Sequence, residues 1–146
     1  MSKRLDINKA ELALLKLALP AAEVRGLDND ATFPERVPAN GLVILRDGTL
    51  TLEEVSLSPL TYHYELRSPV EIAAYSSAGA TSSEALDAMV TPIGAAIGSD
   101  RNLGGLCDWL DAEPASTDDI AQSGARPAKG AIITLVASFD TTNPLS

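Results

Sequence analysis

The chain has 146 residues, 45% of them hydrophobic, and sets 11 Lys plus Arg against 20 Asp plus Glu for a formal charge of -9. Length and apolar content suit one domain spanning residues 1–146 and exclude a largely disordered chain. The acidic balance argues against a protein that grips nucleic acid and against docking on anionic membrane, since both need clustered Lys and Arg.

Cys107 is the one cysteine, so no intrachain disulfide can form. The Met-Ser-Lys-Arg start resembles a signal peptide only briefly. Glu11 and Lys16 interrupt its apolar stretch, and no apolar run reaches the length of a membrane span. A reducing cytoplasm is the expected place of folding.

The first expected element is a helix. Asn8 reads as its cap, Glu11 completes a capping box, and Ile7 is placed to staple against Leu12. Leu12, Leu15 and Leu19 fall on one face and Pro20 ends the run. That stripe serves either the domain's own core or a neighbouring subunit. Residues 26–41 are turn-rich and read as a long binding or assembly loop.

Three strands are expected next, as a meander. Leu42–Leu45 is a short apolar run, and Asp47-Gly48 is a hairpin signal. The return strand changes phase at Glu53-Glu54, which predicts a bulge. Residues 62–74 then alternate cleanly. Tyr62, Tyr64, Leu66, Val70, Ile72 and Ala74 face a core, while His63, Glu65, Arg67 and Glu71 face water. Pro69 cannot donate to a ladder and predicts an edge or a bulge.

Thr81 with Glu84 predicts a second capped helix, its buried stripe formed by Leu86, Met89, Val90, Ile93 and Ile97. Pro92 should bend it. After a turn at Asp100–Gly105, a short strand is expected over residues 106–112. A second loop is expected over 113–130, then a central strand over 131–140 covered on both faces. The expected fold is α+β, a mixed and mainly antiparallel sheet of about five strands flanked by two helices.

Catalytic machinery is sparse. His63 is the lone histidine, and no Gly-x-Ser-x-Gly elbow accompanies it. One His and one Cys cannot hold zinc. Asp28-Asn29-Asp30 lacks the spacing of a calcium loop, and Gly104-Gly105 lacks that of a phosphate cradle. Asp108 beside Cys107 raises the thiol's pKa, which favours a buried structural cysteine. These residues predict no catalytic group, no cofactor and no metal, and a protein that works through its surfaces.

Four stretches carry a family likeness: Glu35–Pro38 running into Gly41–Gly48; Leu57–Glu65; Asp100–Trp109; and the closing Thr141–Leu145. Their order resembles the tail terminator (tail completion) proteins of long-tailed bacteriophages and prophages, over most of the chain. The resemblance implies a lambda-type terminator fold and a hexameric ring of copies of this chain. Such a ring caps the tail tube in the virion neck after assembly in the host cytoplasm. It implies the major tail tube protein and the head-side connector as partners, with DNA only as passing cargo. On that reading, the polar face of His63, Glu65, Arg67 and Glu71 is a candidate subunit interface. Glu53, Glu54, Glu113, Asp118 and Asp119 are candidates to line the lumen, where carboxylates repel phosphate. The alternatives are another neck, head–tail joining or tube protein, or a small enzyme handling acyl-CoA thioesters.

Overall fold

A computed structural model describes residues 2–26, 40–76, 79–120 and 128–145. In chain order the elements are helix α1 (Lys3–Ala18), strands β1 (Glu23–Gly26), β2 (Leu42–Leu45), β3 (Thr49–Leu57) and β4 (Leu60–Tyr75), helix α2 (Ser82–Ser99), a 3-10 turn (Leu103–Gly105), and strands β5 (Trp109–Ile120) and β6 (Ala128–Thr141). The strands form one six-stranded sheet in the order β1-β2-β4-β6-β5, with β3 also on β4. Among the described residues only β1 and β2 run parallel; the other pairings are antiparallel. The architecture is α+β.

Both helices pack on one face of this sheet. Ile7, Leu14, Leu15 and Leu19 from the first and Leu86, Met89, Ile93 and Ile97 from the second meet Leu66, Val70, Ile72, Ile133, Leu135 and Phe139. The leucine stripe of α1 therefore serves the chain's own core. Leu17, on the other side of that helix, is 84% exposed.

The start of α1 differs from the sequence expectation. Ser2 is the cap, its side chain accepting the Leu5 N–H. Asn8 and Glu11 lie inside the helix and are fully buried, and the staple between Ile7 and Leu12 lapses with that cap. A serine one and a half turns earlier satisfies the free N–H groups first. The cap of the second helix follows expectation, and of its expected stripe Val90 is only half-buried. Thr81 Oγ1 accepts the Glu84 N–H at 3.2 Å, and the helix continues through Pro92.

The meander is corrected as well. β2 does not pair with β3; both lie along the same edge of β4, the former against Val70–Ala73 and the latter against Leu60–Arg67. Residues 46–48 are a kink in what is nearly one continuous strand. Gly48 permits it, since a Cβ there would come within 2.6 Å of Leu66 and Ser68 side chains. Pro69 falls in this gap, where its carbonyl accepts the Arg46 N–H at 2.9 Å and its missing donor costs nothing. The phase change in β3 is a bulge, the register passing from Leu52–Tyr64 to Glu54–His63 and leaving Glu53 over.

Two further expectations fail. Residues 113–120 and 128–130 belong to β5 and β6, so most of the anticipated loop is sheet, with a register shift between Glu113 and Ser116. β6 is central but covered on one face only. Ala131, Ile133, Leu135, Ala137 and Phe139 are buried against the helices, whereas Ile132 is exposed. β1 occupies Glu23–Gly26, a strand not expected from the sequence; Asp28-Asn29-Asp30 and the rest of the 26–41 loop through residue 39 lie outside the described residues. A small second cluster on the sheet's other face joins Leu42, Ile44 and Ala73.

Candidate functional site

The face of the sheet away from the helices carries the chain's polar chemistry. Strand alternation brings His63, Glu65, Arg67 and Glu71 of β4 to this side, as expected, and register sets them beside β6 and β5. They form intrachain pairs. Arg46 binds Glu71 at 2.6 Å. Arg67 binds Glu65 at 2.6 Å and reaches across to Glu113. At one end Arg101 holds Asp111 at 3.1 Å and lies 4.7 Å from the centre of the Trp109 ring. Asp111 is held below the usual carboxylate range, first by the Ala112 backbone N–H and then by Arg101.

The candidate lumen residues are divided between two edges. Glu53 and Glu54 are exposed at the bulge of β3, whereas Glu113 lies on β5, paired with Arg67. Asp118 and Asp119 occupy β5 opposite Gly130 and Lys129; their side chains fall outside what is described.

One constellation on this face was not expected. His63 Nε2 lies 2.8 Å from Ser56 Oγ, and His63 Nδ1 lies 2.5 Å from Asp140 Oδ1. A carboxylate only accepts, so the hydrogen-bond network assigns the ring proton to Nδ1 and leaves the Nε2 lone pair facing the serine hydroxyl. The β3–β4 hairpin brings Ser56 near His63, and the β4–β6 ladder sets Asp140 opposite it. The tight spacing around Ser58-Pro59 could have signalled the first approach. Nothing local signals Asp140, which is 77 residues away.

Beneath the sheet a second polar group is dry. Ser68 donates to Asn8 Oδ1 at 3.1 Å, while Asn8 Nδ2 and both Glu11 carboxyl oxygens have no hydrogen-bond partner among the described residues. Burial pushes the Glu11 pKa up to about 8; Ser68 opposes this only weakly, its hydrogen being turned to Asn8. Cys107 is buried as expected, its thiol pushed up to about 11 by desolvation first and by Glu11, Asp108 and Asp100 next. The Gly104-Gly105 turn has left-handed backbone at both glycines and closes on Asp100, whose Oδ1 accepts the Gly104 N–H.

Two apolar features lie on the outside. Leu57 (82% exposed) and Leu60 flank the β3–β4 hairpin turn. A groove of about 360 Å³ runs between the helices, lined by Ala10, Ala13, Leu14, Leu17, Ala96 and Leu103. Among the described residues no group of three or more His, Cys, Asp or Glu could hold a metal ion, and no helix is long and apolar enough to cross a membrane. No family model and no curated protein matches the chain.

Proposed function

We propose that this chain is a structural virion subunit of a long-tailed phage or prophage, forming a six-membered ring that caps the tail tube and meets the head-side connector. The α+β architecture agrees with what the sequence resemblance implies. The observation that carries the reading is the pair of unlike apolar surfaces on one chain. Closed rings use two different surfaces of each subunit, one for each neighbour. The leucines at the hairpin turn supply a knob, and the alanine-lined groove between α1 and α2 supplies room for it. The acidic side chains of Glu53, Glu54 and Glu113 suit a lumen through which DNA slides without sticking.

Electron microscopy of the purified chain mixed with preformed tail tubes tests this. Rings seated on tube ends are expected, and the paired change Leu57→Asp with Leu60→Asp should abolish them. Filaments of the chain alone would indicate a tube protein instead, and bare tube ends would refute the reading. The polar β4 face makes a separate, weaker claim. Reversing charge with Arg67→Glu should impair ring formation if that face meets a neighbour.

A further inference from the structure

We infer that Ser56 is an activated nucleophile that accepts an acyl group from small esters or thioesters, with His63 as its general base and Asp140 as the positioning residue. This goes beyond the ring reading and does not depend on it.

Three features of the geometry converge. The serine hydroxyl meets Nε2, not Nδ1, and the carboxylate meets Nδ1, so each nitrogen has the partner that proton transfer requires. The 2.8 Å separation is that of a formed hydrogen bond, and the 2.5 Å contact is closer still. The group is also accessible. The side chains of His63 and Asp140 are 31% and 46% exposed, and Ser56 is half-buried on an outer strand. Among the described strands β3 pairs with β4 alone, so Ser56 stands on an outer strand of the sheet.

In the step proposed, Ser56 Oγ bonds to the acyl carbon as its proton passes to His63 Nε2. The imidazolium returns that proton to the departing alkoxide or thiolate. Water then hydrolyses the acyl-serine by the same proton path, releasing a carboxylic acid and restoring the hydroxyl. Asp140 holds the Nδ1–H tautomer throughout. Open water around the site screens the developing charges, so acylation by activated reagents is the expected behaviour.

The test treats the purified full chain with a fluorophosphonate and, separately, with 4-nitrophenyl acetate, reading intact mass and mapping the modified peptide. One adduct on Ser56 is expected. Ser56→Ala should remove it, and His63→Gln should slow its formation about 100-fold, the usual size of a general-base contribution. Asp140→Asn favours the wrong tautomer and should slow labelling without changing the melting temperature, while Asp140→Glu restores part of the rate. No adduct on Ser56, or one forming equally fast in His63→Gln, overturns the proposal. Circular dichroism of each variant separates loss of reactivity from loss of fold.

Discussion

The two faces of the sheet treat carboxylates in opposite ways. On the helix-covered face Glu11 is wholly buried with neither oxygen hydrogen-bonded among the described residues, and its proton is retained well above the usual range. On the open face Glu65, Glu71 and Glu113 each have an arginine within reach and remain partly wet. Desolvation decides the first case, because an unpaired charge in low dielectric costs far more than holding a proton. Water decides the second, because screening leaves each exposed pair worth little. One buried carboxyl thus couples stability to pH, while each exposed ion pair adds little to it.

The sharpest way to break this contrast is to titrate it. Glu11 has a folded-state pKa raised from 4.5 to about 8. Below 4.5 both folded and unfolded chains hold the proton and folding pays no penalty. Between the two values the unfolded chain releases it first, so stability falls as pH rises, and above 8 the full cost is present. At 1.36 kcal/mol per pH unit the loss reaches about 5 kcal/mol as an upper bound. Urea unfolding of the wild type and of Glu11→Gln at pH 5 and pH 8.5 should show this difference shrinking in the variant. Parallel curves for the two proteins would remove Glu11 from the account.

Next in size comes Leu135→Ala, which deletes a fully buried side chain from the covered face. It should cost about 3 kcal/mol in chemical denaturation, from lost transfer energy and the cavity left behind. Thr81→Ala removes the cap of α2 and should cost about 1 kcal/mol, read as a lower melting temperature. Smallest is Arg67→Ala on the open face, expected to change stability by less than about 1 kcal/mol although it breaks two ion pairs. A loss of several kcal/mol there would mean the open face is drier than its exposure suggests.

Periodic signals carried much of the fold. The alternation along β4 and the Thr81–Glu84 cap of α2 are local, and both are visible in the letters. Where a local cue misleads, a long-range partner overrides it. Asn8 resembles a cap, yet Ser2 caps first and leaves it buried beside Ser68. Asp47-Gly48 resembles a hairpin turn, yet the far longer β4 offers one edge to both flanking strands. Residues 113–120 look like loop because Pro, Ser, Thr and Asp dominate them; they are extended because β6 supplies a ladder. The candidate site follows the same rule. His63 could be singled out from sequence, but Ser56 and Asp140 become its partners only through a hairpin and a distant strand.

The ladder between β4 and β6 also dictates the order in which this chain can fold during synthesis. It joins Tyr75 to Ala128 at its near end and Tyr62 to Thr141 at its far end. The middle of the sheet therefore stays unzipped until residues 128–141 have left the ribosome. Until then the β3–β4 hairpin and the two helices can pack only on a partial sheet, and contacts spanning so much chain form slowly. The buried face of α2, which packs on β4 and β6 together, waits on β6 for part of the sheet beneath it.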